Sequence, residues 1–424
     1  MFSVASLLTI ILLALSTTGS PVEVSNSPIT LPIARRLSAL NGTINLLEQD
    51  RARAAALRLK GQNLKNGGHG VPIANVATGY YIAVGIGSPP TTYDLIVDTG
   101  TSDTWIGAKK AYSQTSTSID TEEPMQVIYG SGSAYFDGFE YIDTFTFGNG
   151  LTIPQQSFGV ALETSGTFGG ADGILGLGPV DLTAGTLIDE PTTTIPTVTD
   201  NLHSQGTIHR EVVSISFEPI TEVMEVINGE LTFGGTVRNK HGPITYNPIT
   251  TTSPASMYWG IDQSISYGDT TILSSTAGIV DVDTTYILIA SDAYVEYQFL
   301  TGSTTDAATG LLLISSAQYA ALENLSFGIG GVRHFCRLSH PLLTICTGNV
   351  HSHPCQIWPR ILNTYIGGSS NAIYLVITDI GTPSGQGFDF VNGYPFAERF
   401  YCVFDTSRSR IGFAQTPYTD ATTN

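Results

Sequence analysis

Leu95-Ile96-Val97-Asp98-Thr99-Gly100-Thr101-Ser102 reads as an apolar strand that ends on a carboxylate. A second stretch, Gly278-Ile279-Val280-Asp281-Val282-Asp283-Thr284-Thr285, has the same build. In each, a β-branched run delivers an aspartate, and small or hydroxyl residues follow. The two aspartates stand 183 positions apart, about one domain length. A repeat at that spacing implies two related halves, each bringing one carboxylate to a shared site. Two facing carboxylates can drive acid-base hydrolysis without a metal or a covalent intermediate, because close like charges hold one proton between them.

The rest of the body supports an all-β fold. Residues 80–86, 93–97, 212–217, 230–233, 286–289 and 400–404 are predicted strands. Turn signals separate them at Gly87-Ser88-Pro89-Pro90, Gly148-Asn149-Gly150, Asn228-Gly229 and 381–387. Helical stretches in the body are few, at 291–300 and 316–325. The predicted halves are 68–247 and 248–424, divided within 245–255, where Pro248, Pro254 and a Thr/Ser cluster fall.

Ahead of them, residues 1–20 have the build of a secretory signal peptide, with an apolar block too short to span a bilayer. Residues 21–67 hold 7 of the 18 basic residues and only three acids, Glu23, Glu48 and Asp50. The remainder carries a formal charge of −22. The stretch 45–64 is predicted helical. A basic leader before an acidic body reads as a pro-segment held by an electrostatic latch that loosens as carboxylates protonate. The acidic balance excludes nucleic acid as a partner, since phosphate contacts need Lys and Arg. It suits a protein that stays folded in acid.

Around the first motif, Gly100 can offer its N–H to Asp98 and Thr101 its hydroxyl. Trp105 lies seven residues on, and Tyr129-Gly130-Ser131-Gly132-Ser133 reads as a tight hairpin. The run Ala171-Asp172-Gly173-Ile174-Leu175-Gly176-Leu177-Gly178 can pack beneath the acid. No nucleophile elbow and no phosphate loop is present. The stretch 334–355 departs from its surroundings, with Cys336, Cys346, Cys355, His334, His340, His351 and His353. Its spacings fit no zinc pattern well, so a disulfide loop or an insert foreign to the fold remain as readings. No metal or cofactor is expected. Asn41-Gly42-Thr43 and Asn324-Leu325-Ser326 are acceptor sequences for N-glycosylation.

At these residues the chain resembles the pepsin-like aspartic endopeptidases, and their fungal branch in particular. The resemblance runs from about Gly79 to Ala414 and includes Val180-Asp181-Leu182-Thr183, Gln356-Ile357-Trp358-Pro359-Arg360 and Glu398-Arg399-Phe400-Tyr401. It implies a bilobal fold of two related β-barrel-like lobes with the active-site cleft between them. Asp98 and Asp281 would be the catalytic dyad, supported by Thr99, Gly100, Thr101 and Thr284. Tyr129, Gly130 and Ser131 would form a flap over the cleft, with Trp105 anchoring it. Substrates would be proteins or peptides bound extended, and the pro-segment an intramolecular inhibitor. The resemblance implies a zymogen that is secreted to the outside, with the vacuole as the other destination, and monomeric. The second motif departs from the family's Asp-Thr-Gly, with Val282 and Asp283 in place of Thr and Gly. The alternative is therefore a catalytically weak or inactive pepsin-like protein that binds peptides. Restoring Thr and Gly at these positions separates the two.

Overall fold

In the computed structural model, residues 27–37, 45–65, 78–129, 134–165, 168, 170–219, 226–336 and 356–421 are described. The predicted signal peptide, residues 1–20, and Gly130, Ser131, Cys346, Cys355 and the rest of 337–355 lie outside the described residues. The fold is bilobal and rich in β structure. A 13-stranded sheet carries the first lobe and the base of the molecule, and a seven-stranded sheet carries the second.

The repeat seen in the sequence is a repeat in the fold. The Thr91–Asp98 strand runs parallel to Gly173–Gly176, with Asp98 opposite Gly176. Gly173–Gly176 in turn pairs antiparallel with Trp105–Ile106. In the second lobe, Thr270–Val280 runs parallel to Phe390–Asn392, which pairs antiparallel with Ile287–Ile289. Leu95, Ile96, Val97, Ile279 and Val280 are all buried, which is why these runs are continuously apolar rather than alternating. Each lobe thus aims one aspartate at the gap between them.

Two expectations change. Asn228-Gly229 is not a turn but lies inside the Val226–Phe233 strand. There Asn228 falls at a register shift against Ile29–Leu37, between the pairs Ile33–Gly229 and Ala34–Ile227. A Cβ on Gly229 would sit 2.7 Å from Ile33 Cγ1, so glycine is required for the approach of that neighbour, not for a turn. The second predicted helix is shorter: it spans Ser316–Ala320, after which Leu325–Ile329 is a strand. Within the predicted boundary segment, Thr245–Pro248 is a strand paired with Arg410–Gln415, a strand the sequence did not announce.

The leader contributes two elements. Ile29–Leu37 is a strand seated between Val226–Phe233 and Thr78–Ile86. Leu31, Ile33 and Arg35 point inward. Leu46–Lys65 is a helix of 20 residues, roughly 30 Å long. Its start is capped by Asn45, whose side-chain oxygen accepts the N–H of Glu48. Its composition of Ala, Leu, Arg and Lys favours helix. The buried residues are Leu46, Leu47, Asp50, Arg53, Ala54, Ala56, Leu57, Lys60 and Gly61, and three of these nine are charged. A helix that buries charges needs opposite charges where it docks. Among the described residues, no helix is long and apolar enough to cross a membrane.

The start of the cysteine- and histidine-rich stretch also differs from expectation. Val332–Cys336 is a strand paired with Leu325–Ile329, so His334 and Cys336 belong to the sheet. His334 is buried edge-on against Phe400 and Phe413, and burial lowers its pKa. Among the described residues no cluster of metal-ligating side chains occurs. Cys402 is a buried free thiol whose pKa burial pushes up.

Candidate active site

Asp98 and Asp281 meet at the bottom of the cleft, both buried. The Asp98 carboxylate accepts the N–H of Gly100 at 2.7 Å. A Cβ on Gly100 would stand 2.7 Å from Arg53 Nη2 and 3.0 Å from Asp281 Oδ1, so a side chain there would crowd the guanidinium between the acids. Thr284 donates its hydroxyl to Asp281 Oδ2 at 2.6 Å. The N–H of Asp283 points at Asp281 Oδ1 at 3.4 Å, a weaker version of the Gly100 contact. Thr101 does not mirror Thr284: its hydroxyl accepts the N–H of Asp103 at 3.4 Å, and among the described residues no hydrogen bond joins it to Asp98.

Thr99 accepts the N–H of Val282 at 3.0 Å, so one strut between the lobes survives the loss of the second threonine. Val282 is itself buried in the main hydrophobic core. The departure at Val282 thus replaces one hydroxyl contact with apolar packing and leaves the placement of Asp281 intact.

Between the two aspartates sits Arg53, from the leader helix. Its Nη2 is 2.7 Å from Asp98 Oδ1 and 3.0 Å from Asp281 Oδ1, and its Nε is 2.7 Å from Asp281 Oδ2. Its Nη1 is 3.1 Å from Asp283 Oδ2. All four side chains are at most 1% exposed. Burial works against the charge of Arg53, but Asp281, Asp98 and Asp283 outweigh it and hold the guanidinium more firmly protonated than in water. Burial raises the carboxyl of Asp98 and, much further, that of Asp283; Arg53 pulls both back.

Sequence reasoning did not find the other contacts of this helix. Lys60 pairs with buried Asp103 at 3.4 Å. Arg51 reaches Asp379, and Arg58 donates to Thr382. Tyr258 donates its hydroxyl to the carbonyl of Leu57 at 2.6 Å. Asp50 accepts the N–H of Tyr286 at 2.8 Å. The excess of bases over acids in 21–67 was the signal, but it could not say which base meets which acid. Burial lifts the Asp50 carboxyl from 3.8 to about 7. Its contribution to docking is therefore complete below the ordinary value and is lost as pH rises through about 7. One aspartate carboxyl of the intact chain is expected to titrate near that pH, read by carbonyl NMR, and its resonance to vanish in Asp50→Asn.

Trp105 is fully buried, stacked on Phe136 at 5.0 Å and edge-on to Phe168 at 4.9 Å. Trp105→Ala is expected to cost about 3 to 5 kcal/mol of folding stability, read as a lower denaturation midpoint. Tyr129 ends the Ile119–Tyr129 strand opposite Ala134, at the tip of a long hairpin with Ala134–Thr146.

Two buried aspartates brought to one point, one from each repeat, are the arrangement that the sequence's resemblance to aspartic proteases implies. The comparisons agree. A model of the family Eukaryotic aspartyl protease matches residues 79–416, and the chain belongs to that family. Polyporopepsin of Irpex lacteus is 55% identical over 356 residues, covering 84% of this chain and 99% of the relative. Pepsin-2B of Gadus morhua is 25% identical over 80% of this chain and 96% of its own. The crystal structure of aspartic proteinase from Irpex lacteus superposes with a TM-score of 0.77 at 48% identity, covering 94% of this chain and all of that one. The protein is an aspartic-type endopeptidase.

Proposed function

We propose that the chain is made as a latent, secreted endopeptidase that works in acid, with Asp98 and Asp281 as its dyad and residues 21–67 as its inhibitor. The observation that carries this reading is Arg53, whose guanidinium covers both aspartates from within the leader helix. No substrate carbonyl can reach the carboxylates while it is there.

Once the helix leaves, the two carboxyls share one proton. One takes a proton from a water held between them, and that oxygen attacks the scissile amide. The other gives its proton to the carbonyl oxygen. Thr284 and Gly100 each hydrogen-bond one of the two acids and so orient it. A peptide lies extended along the cleft, with main-chain hydrogen bonds for affinity and side-chain pockets for choice. The hairpin whose first strand ends at Tyr129 closes over the peptide and excludes water.

Acid opens the latch through the carboxyls of Asp98 and Asp283. Arg53 lowers the pKa of each, so its attraction favours the docked helix at neutral pH. That attraction fades as pH falls through their docked values, which burial has raised above the ordinary 3.8. A guanidinium left without counter-charges in a buried place is then strongly unfavourable. The test is to acidify the intact chain to about pH 3 to 4 and follow its N-terminal shortening together with cleavage of an unfolded protein. Both are expected. A folded chain that shows neither overturns the reading.

A further inference from the structure

Asp283 stands where the first motif has Gly100; its N–H points at Asp281, but neither the dyad chemistry nor the bracing of the lobes uses its carboxylate. Its carboxylate is completely buried, and among the described residues neither oxygen has a hydrogen bond. Arg53, Asp98, Asp281 and, from the leader helix, Asp50 are the charged groups that face it. Burying an acid with no partner is costly. The only cation in this set is Arg53, whose Nη1 lies 3.1 Å away.

The three nitrogens of that guanidinium divide among three carboxylates. Nε faces Asp281, Nη2 faces Asp98 with Asp281 behind it, and Nη1 faces Asp283. Nη1 makes no hydrogen bond among the described residues, so Asp283 serves it as a counter-charge, and with glycine at 283 it would have none. A lysine ammonium is a compact point charge that can sit between two close carboxylates, but it has no planar fork to reach a third. The carboxylate at 283 therefore puts a negative charge beside the third nitrogen of a guanidinium, farther from an ammonium seated between Asp98 and Asp281.

We propose that Asp283 is a specificity-determining residue that turns the cleft floor into a guanidinium site. The site selects arginine over lysine both in the chain's own helix and in arginine-bearing peptides that enter after that helix has left. Such peptides bind as competitive inhibitors, because the guanidinium covers both catalytic acids. The proposal rests on the reading of the leader helix as a removable inhibitor.

The test uses acid-matured protein and three synthetic peptides of residues 46–65: the native sequence, R53K and R53Q. Binding is read by fluorescence anisotropy of labelled peptide at mildly acidic pH, and inhibition by cleavage of an unfolded protein. The native peptide is expected to bind at least about tenfold more tightly than R53K, a difference of about 1.4 kcal/mol. In protein matured from Asp283→Gly that ratio is expected to fall to near one. Asp283→Asn keeps the shape and removes the charge, so it is expected to lower the ratio as well and serves if the glycine variant does not fold. An arginine preference unchanged in both variants overturns the proposal, as does a failure of the native peptide to bind. Binding is read without cleavage, so the two readings fail separately. A protein that discriminates but does not cleave overturns only the catalytic assignment. One that cleaves but does not discriminate overturns only the guanidinium site.

Discussion

Replacing Arg53 by glutamine is expected to abolish latency. The wild-type guanidinium is buried among three carboxylates, two of them at 2.7 Å. Removing one partner of such a buried cluster leaves the others uncompensated and costs about 3 to 5 kcal/mol. That is a shift in the docking equilibrium of roughly a hundredfold to several thousandfold. The helix's other buried ion pair, Lys60 with Asp103, is the same in wild type and variant and so does not offset the loss. Arg51 and Asp379 are partly exposed, and such a pair contributes about 1 kcal/mol at most. Arg53→Gln should therefore cleave an unfolded protein without a lag, in mild acid where the wild-type chain is still silent. The comparison is one of progress curves at a single pH. A variant as latent as the wild type would mean that the strand Ile29–Leu37, and not the helix, holds the cleft shut.

The second large effect is at the dyad itself. Asp98→Asn keeps the size and the hydrogen-bond geometry of the side chain but cannot take a proton from water. General acid-base catalysis by one positioned group contributes about a hundredfold to ten-thousandfold, so kcat should fall by at least that much. Asp281→Asn should be equally damaging, and the double variant little worse than either single one, because the two acids act as a unit. Steady-state cleavage by chains matured with a second protease separates this effect from a failure to mature. If Asp98→Asn retains most of its activity, the two aspartates are structural and the chemistry lies elsewhere.

How much of this was legible in the sequence depends on where the determining contact lies. Asp98 and Asp281 could be read because each is announced locally, by an apolar strand before it and small residues after it. The strand Ile29–Leu37 also had a local signal, the alternation Ile29, Leu31, Ile33. Pro32 and the pair Arg35-Arg36 obscured it. The proline is tolerated because the Thr78–Ile86 partner covers only Ala34 to Leu37, which leaves that side of the strand open at Pro32. Arg35 is buried because Glu398 neutralises it at 2.9 Å and the Tyr394 ring covers it. Both partners are more than 350 positions away, beyond any local pattern. Arg53 was equally hidden. Nothing within the helix distinguishes it from Arg51 or Arg58; only the lobes around it do. The same holds for Thr101, whose likeness to Thr284 in sequence did not carry over to the same hydrogen bond.

The account stands on one claim, that the leader helix seals the dyad at neutral pH and leaves it in acid. Amide hydrogen exchange of Leu46–Lys65, pulsed in freshly acidified wild-type chain before it cleaves itself, tests this directly. The account predicts strong protection of the helix at neutral pH and its loss across the same pH range in which the wild-type chain begins to cleave. Protection that persists through that range would contradict it.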